Sequence, residues 1–226
     1  MKFGLLLFPN LTQLDLTGPL EVFSRMSGVE TVLIWKTLEP VSSDRGMRML
    51  PTHTFQTAQD LDLICVPGGP GQIELMDDYE TLDYLRQVAA GCQWVTSVCT
   101  GSLVLAAAGL LSGYRATSHW SSIDQLALFG VEPVQKRVVR DRNRMTGAGV
   151  TSGIDFALHI AAEIFGEAAA RSIQLQIEYD PEPPFTTGSL RSADPDLVAS
   201  IRAEISPFIE RRRRASELAA KRLLEA

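Results

Sequence analysis

The chain reads Trp94-Val95-Thr96-Ser97-Val98-Cys99-Thr100-Gly101-Ser102 at the point that decides its fold, and Leu103-Val104-Leu105-Ala106-Ala107 follows directly. A run with β-branched residues ends at Cys99, and a segment of strong helix propensity begins behind it. Ser97 and Gly101, two positions before and after the cysteine, are small, as a sharp strand-to-helix turn requires. The pattern predicts a nucleophile elbow with Cys99 at its tip.

The predicted position of Cys99 bears on its chemistry. The first N–H groups of a helix carry partial positive charge, so we expect them to favour the thiolate over the thiol. The alternative is that Cys99 is a small buried hydrophobic residue, which is the usual fate of a free cysteine.

The composition is typical of one globular domain. The 226 residues are 45% hydrophobic and 21% charged, which suffices for one sizeable core. Three cysteines without paired spacing indicate a reducing compartment, and we expect a cytoplasmic protein. No stretch approaches the ~20 apolar residues of a membrane span, and we expect no signal peptide and no membrane partner. The net charge of −6 gives no reason to expect nucleic acid as a partner.

Apolar strand-like runs alternate with helical patterns along the chain. We predict strands at residues 2–8, 30–36, 61–66 and 94–98, and a hairpin that turns at 141–144. We predict helices at residues 14–26, 78–90 and 154–165. Because the strand runs are continuously apolar, they indicate an α/β fold with a mostly parallel sheet covered by helices on both faces. Ligands of such sheets bind beyond the carboxyl ends of the strands, where Cys99 lies.

The chain divides at a proline-rich break. We predict an α/β catalytic domain over residues 1–180, and a linker with a C-terminal helical arm over residues 181–226. The linker begins with Pro181-Glu182-Pro183-Pro184, and Pro207 should bend the arm. We interpret the cluster Arg211 to Arg214 as a solvated helical face.

Five motifs occur in the order typical of one superfamily. They are Asp15-Leu16-Thr17-Gly18-Pro19, Val66-Pro67-Gly68-Gly69, Ser97-Val98-Cys99-Thr100-Gly101-Ser102, Ala116-Thr117-Ser118-His119-Trp120 and Gly153-Ile154-Asp155-Phe156-Ala157-Leu158. From residue 2 to the arginine-containing tail, the chain resembles the PfpI-like (class I glutamine amidotransferase-like) superfamily, and within it the isocyanide hydratases. The resemblance implies a flavodoxin-like single-domain fold and a homodimer in which the arm packs across the second subunit.

The resemblance also implies a reaction and its residues. In that family a cysteine thiolate attacks the isocyanide carbon to give a thioimidate, an aspartate and a threonine assist, and water releases an N-substituted formamide. By matching motif these roles fall to Cys99, Asp15 and Thr100. No cofactor and no metal ion is implied.

Each assisting residue has a competing structural interpretation. Asp15 can act as an acid near neutral pH only if desolvation or the nearby thiolate raises its pKa, whereas an aspartate here could simply cap the helix that runs into Pro19. The Thr100 hydroxyl could hydrogen-bond the acid or the attacking water, or it could cap its own helix.

The resemblance further implies a pocket around the thiol. Gly68, Gly69 and Pro70 lack the spacing of a P-loop or a dinucleotide site. The resemblance implies that the backbone N–H groups near Gly69 and that of Thr100 line the pocket, with His119 and Trp120 as further pocket residues. A plain tight turn at the glycines is the alternative.

The histidines separate the rival functions. A Cys-His enzyme needs a histidine beside the thiol, and His119 is the one candidate, since we expect His53 at the surface and His159 in the core. Protease-like relatives carry histidine at position 100 and many deglycase-like relatives carry glutamate at position 15, so Thr100 and Asp15 favour isocyanide hydration. The remaining alternatives are a glyoxalase or deglycase on the same scaffold and a non-catalytic redox-sensing or regulatory protein.

Overall fold

A single seven-stranded sheet organises the protein in the computed structural model, which describes residues 1–225. The strands of this sheet are β1 (Lys2–Leu6), β2 (Glu30–Trp35), β5 (His53–Thr54), β6 (Leu63–Val66), β7 (Trp94–Val98), β10 (Val138–Asp141) and β11 (Arg144–Gly147). Their order in the sheet is β10-β11-β7-β6-β1-β2-β5, and every neighbouring pair is parallel except the hairpin β10–β11. The predicted mostly parallel sheet is confirmed.

Two pairs of two-residue strands lie outside the main sheet. They are β3 (Val41–Ser42) with β4 (Arg48–Met49), which is antiparallel, and β8 (Arg115–Ala116) with β9 (Glu132–Pro133), which is parallel.

The helices pack in two groups. They are α1 (Gln13–Phe23), α2 (Gln72–Leu75), α3 (Tyr79–Ala89), α4 (Gly101–Ala107), α5 (Ser152–Phe165), α6 (Glu167–Gln176) and α7 (Pro195–Glu225), with a 3₁₀ helix at Ile123–Phe129. Helix α5 packs against α1 and α6, whereas α4 packs against α2, α3 and α7. Strand β6 is buried at all four positions, because helices cover both faces of the sheet.

The core explains why the strands are continuously apolar. Leu5 in β1 lies between Leu33 of β2 and Cys65 of β6. Phe23 on α1 makes edge-to-face contacts with Phe3 at 5.2 Å and with Phe156 of α5 at 6.0 Å between ring centroids. These contacts fix α1, and therefore Asp15, against the sheet.

The C-terminal arm is one helix that packs on its own chain. Helix α7 has 31 residues and continues through Pro207, and it contacts α2, α4 and the 3₁₀ helix. Arg211 and Arg214 are exposed, as predicted for the arginine cluster, but Arg212 is buried, so the prediction of a solvated face is wrong for this residue. No helix among residues 1–225 is both long enough and apolar enough to span a membrane.

Candidate active site

The backbone at Cys99 forms the predicted elbow between β7 and α4. Its φ of 56° lies in the left-handed region, which residues other than glycine seldom adopt. The Cys99 N–H donates to the carbonyls of Gly147 and Ala148, at 3.0 and 2.7 Å. Its carbonyl accepts from the hydroxyls of Ser102 and Ser118, both at 3.1 Å. These four bonds hold a strained backbone in place, as is typical of functional sites.

Gly101 lets the helix behind the elbow approach the neighbouring strand. A Cβ at this position would lie 2.0 Å from the Val66 carbonyl oxygen and 2.7 Å from that of Pro67. The first turn of α4 therefore sits directly against the carboxyl end of β6, and no side chain fits between them.

Asp15 is buried beside the elbow and does not cap its helix. It lies inside α1, whose N-cap residue is Thr12, and its Oδ2 accepts from the Gly68 N–H at 3.0 Å. Its Oδ1 is buried without a partner of ordinary hydrogen-bond geometry. The capping interpretation is therefore wrong, and the carboxylate is directed to the glycine turn.

Burial sets the acidity of Asp15. Desolvation raises the pKa of this carboxyl to about 7, although the Gly68 N–H and the nearby Cys99 thiol act in the opposite direction. The charge of Asp44 adds to the increase. The expectation that the pKa of Asp15 is raised is confirmed, so the carboxyl can take up and release a proton near neutral pH.

The acidity of Cys99 differs from the expectation. Burial, followed by the charge of Asp15, raises the pKa of the thiol well above its usual value, although the Thr100 N–H and the Arg212 charge act to lower it. The expectation that the helix N-terminus makes the thiolate the favoured form is thus wrong for the resting protein, because desolvation outweighs one backbone N–H. The Cys99–Asp15 pair therefore loses its first proton from Asp15 near pH 7, and above that pH it holds one proton and one negative charge.

The glycine turn positions the two side chains. The Gly68 N–H donates to Asp15 and the Gly69 N–H to the Thr100 hydroxyl, at 3.0 and 3.2 Å. A Cβ on Gly68 would lie within 3 Å of Asp15 Oδ2 and of the Thr100 backbone nitrogen. Both glycine N–H groups expected to line the pocket therefore have intramolecular acceptors, and a contact of Gly68, Gly69 or Pro70 with substrate stays a prediction.

Thr100 acts on this turn through its hydroxyl. It occupies the N-cap position of α4 without a side-chain capping bond, and its Oγ1 accepts from Gly69 instead. The capping interpretation is wrong for Thr100 also. The backbone N–H of Thr100 acts on the Cys99 sulfur, and its place in the lining of the substrate pocket stays a prediction.

The histidines do not form a Cys-His pair with the elbow. His119 Nδ1 accepts from the Ser121 N–H at 3.3 Å, and burial lowers the pKa of the ring to about 4, so it is neutral at pH 7. The prediction that His159 packs in the core is wrong, because it lies on the exposed face of α5. Within residues 1–225 no cluster of three or more histidine, cysteine or acidic side chains is arranged to hold a metal ion.

A cavity of about 310 Å³ borders residues that hold the elbow backbone, but Cys99, Asp15 and Thr100 do not line it. Ser118 and Ala148, which hold the Cys99 backbone, both line it, as do His119 and Trp120. Residues 188–191, from the segment before α7, line it as well. The predicted pocket residues His119 and Trp120 thus line the same cavity, and their contact with substrate stays a prediction.

Arg212 lies near the site although the sequence did not indicate it as a site residue. Its side chain is buried, with Nε donating to Gln72 Oε1 at 2.7 Å and Nη1 donating to the Ser122 hydroxyl at 2.9 Å. The available signal was the helical spacing of Arg212 with the small residues Ser216, Ala219 and Ala220, which identifies the inward face of α7.

Comparison with known proteins places this arrangement in a family. The model of the DJ-1/PfpI family matches residues 1–163. The chain is 50% identical over 223 residues to isonitrile hydratase of Pseudomonas putida, covering 99% of this chain and 98% of that protein, and isonitrile is a synonym of isocyanide. It is 31% identical over 188 residues to the HTH-type transcriptional regulator GbdR of Pseudomonas aeruginosa, covering 79% of this chain and 51% of the regulator. The crystal structure of a ThiJ/PfpI family protein from Pseudomonas syringae superposes with a TM-score of 0.93 at 42% identity, covering 95% of this chain and 90% of that one.

Proposed function

The chain belongs to the DJ-1/PfpI family, and we propose that it is a cofactor-independent isocyanide hydratase that converts an isocyanide and water into an N-substituted formamide. The observation that carries the proposal is the pairing of a thiol on a strained elbow with a fully buried carboxyl whose pKa is about 7. The likeness to isonitrile hydratase over nearly the full length identifies the substrate class.

The first step forms the thioimidate. The Cys99 sulfur bonds to the terminal carbon of the isocyanide while the Asp15 carboxylate accepts the thiol proton. Asp15 then delivers this proton to the same carbon, and the product is R–N=CH–S–Cys99. A thiol needs this assistance because its own pKa is raised, and a carboxylate of pKa about 7 can accept the proton and release it again.

The second step consumes one water molecule. The water oxygen bonds to the thioimidate carbon, and Asp15 transfers a water proton to the nitrogen. The tetrahedral adduct then loses its hydroxyl proton, the carbon–sulfur bond breaks, and the sulfur regains a proton. The products are R–NH–CHO and the Cys99 thiol, so Asp15 serves as base and acid in both steps.

Thr100 and the glycine turn keep the pair aligned. Gly68 holds Asp15 through one N–H, and Gly69 is tied to the Thr100 hydroxyl next to the nucleophile. The cavity at Trp120 is of a size that accommodates a small organic substituent, and we assign it to the R group of the isocyanide.

We also propose a homodimeric, cytoplasmic protein. Exposed Leu197 and Leu218 on α7 and Leu175 on α6 offer apolar surface to a second subunit, and all three cysteines are free, as expected in a reducing compartment. A molar mass of one chain, measured in solution by light scattering, would refute the proposed dimer.

Turnover of para-nitrophenyl isocyanide tests the function, with the formamide identified by mass spectrometry. We expect product with the wild-type protein and with Cys92→Ala, whose thiol lies elsewhere in the core, and none with Cys99→Ala. Methylglyoxal is the parallel substrate. Consumption of methylglyoxal without turnover of the isocyanide would replace the proposal with glyoxalase chemistry.

A further inference from the structure

Arg212 is a buried cation among neutral neighbours. Its side chain contacts the Gln72 amide, the Ser122 hydroxyl and the face of the Phe208 ring, whose centroid lies 4.5 Å from the guanidinium carbon. By contrast, the nearby Arg213 and Arg222 pair with Asp124 and Asp77. Among residues 1–225, no carboxylate lies within ion-pair distance of Arg212.

This arrangement is costly unless a negative charge lies nearby. Removing a guanidinium from water carries a large desolvation penalty, which hydrogen bonds to neutral groups offset only in part. Accordingly, burial lowers the pKa of Arg212 to about 10, and the charge of Cys99 acts in the opposite direction. The favourable interaction is mutual, because the Arg212 charge also favours the anionic form of Cys99.

The two hydrogen bonds fix where this charge lies. Gln72 begins α2, directly after the glycine turn that holds Asp15 and Thr100. Ser122 follows the His119 segment, and its N–H donates to the His119 carbonyl at 2.9 Å. The guanidinium is therefore clamped between two loops that border the site, and it cannot turn towards solvent without breaking both bonds.

We propose that Arg212 is a positioning residue of the active site, which supplies the counter-charge for the single negative charge of the Cys99–Asp15 pair and favours the sulfur anion during attack. The inference deepens the proposed function and rests on it for the identity of the reaction. It makes α7 part of the active site. Other titratable groups around the pair and Arg212 are Asp44, Cys65, His119 and Arg211.

The pH dependence of Cys99 alkylation by iodoacetamide tests the inference without any isocyanide. Arg212→Met removes the charge with little change in volume, Arg212→Lys keeps the charge without the planar fork, and Arg214→Met is the matched control at an exposed position of the same helix. Mass spectrometry of the Cys99 peptide separates its labelling from that of Cys65 and Cys92.

We expect Arg212→Met to label about tenfold more slowly at pH 8 and to recover as the pH rises, because one pKa unit is a tenfold change in thiolate. The labelling rate of Arg212→Lys should lie within about threefold of the wild-type rate, and that of Arg214→Met should equal the wild-type rate. If Arg212→Met does not fold by circular dichroism, Arg212→Gln takes its place with the same expectation.

Two outcomes overturn the inference. One is a wild-type labelling profile in the folded neutral variant, and the other is Arg212→Lys labelling as slowly as the neutral variant, which would assign Arg212 a purely structural role. Isocyanide turnover is measured alongside. Absence of turnover in the wild type, with the labelling shift present, would refute the proposed reaction and leave the counter-charge role standing.

Discussion

The elbow and the C-terminal helix both act on the Cys99 sulfur, but they do so by different means. The elbow brings a backbone N–H from the residue next in sequence, whereas α7 brings a full charge from more than a hundred residues away. The elbow is rigid because its backbone is over-determined by four hydrogen bonds. The position of the Arg212 charge depends on two side-chain hydrogen bonds, to Gln72 and Ser122. The local turn therefore sets the geometry at the sulfur, and the long-range contact adds a charge to it.

The largest effect on the elbow side is expected at Asp15. Asp15→Asn retains an acceptor for the Gly68 N–H but cannot transfer a proton, so we expect kcat for isocyanide hydration to fall about 100- to 10,000-fold. Arg212→Met should lower turnover far less and recover at higher pH. Equal losses in the two variants would remove the distinction between elbow and arm.

Asp15→Asn should also have a larger free energy of unfolding than the wild type above neutral pH. The pKa of Asp15 is 3.8 in the unfolded chain and about 7 in the folded protein, so the folded protein holds this proton more tightly. The resulting stability is fully present below pH 3.8 and is lost as the pH rises through 7, where the buried carboxyl ionises. Urea unfolding should therefore show Asp15→Asn more stable by as much as about 4 kcal/mol at pH 8, with little difference at pH 4. A lower stability at pH 8 would contradict the assigned pKa.

Gly101→Ala tests the rigidity of the elbow. The new Cβ would lie 2.0 Å from the Val66 carbonyl oxygen, so we expect a loss of about 3 kcal/mol or more in the free energy of unfolding. Gly91→Ala is the control, because its Cβ would meet only the Val88 oxygen at 3.8 Å. A folded Gly101→Ala protein with wild-type stability would show that the elbow can move.

Thr100→Val tests the link between the elbow and the glycine turn. The variant leaves the buried Gly69 N–H without its acceptor, at a cost of about 1–3 kcal/mol. We expect kcat/KM to fall about tenfold, and Thr100→Ser to retain most of the activity. Loss of activity in the serine variant as well would point to packing of the threonine methyl group.

Trp120→Ala should give the smallest effect. Trp120 lines the cavity that the segment before α7 also borders. Loss of apolar contact with the R group should raise KM about fivefold with kcat unchanged. Trp120→Phe should restore most of the affinity. A change confined to kcat would instead place Trp120 at the reacting atoms.

Much of the fold and part of the site follow from short-range patterns. The continuous apolar runs predicted the parallel sheet, and the small residues around Cys99 predicted its turn, because both features depend on neighbours close in sequence. Desolvation as the cause of a raised Asp15 pKa was also anticipated, as the condition for an acid role near neutral pH. The subunit packing of residues 181–226 remains a prediction.

What could not be predicted depends on burial in three dimensions. The thiol of Cys99 is desolvated by elements that close around it only in the fold, so the helix N-terminus alone indicated the wrong direction for its pKa. The exposure of His159 was mispredicted because the partner that covers a helix decides which of its faces is buried. The run of arginines did not separate Arg212 from its neighbours either, and only its spacing with the small residues further along α7 indicates that it faces inward.

The pH profile of kcat/KM for para-nitrophenyl isocyanide tests the shared charge of the Cys99–Asp15 pair most directly. Attack requires that the pair has lost one proton, and the first group to lose it is Asp15, with a pKa of about 7. We predict that kcat/KM rises with pH up to about 7 and then levels off, and that this step is absent in Asp15→Asn. A wild-type profile that is flat or falling between pH 6 and 8 would contradict the account.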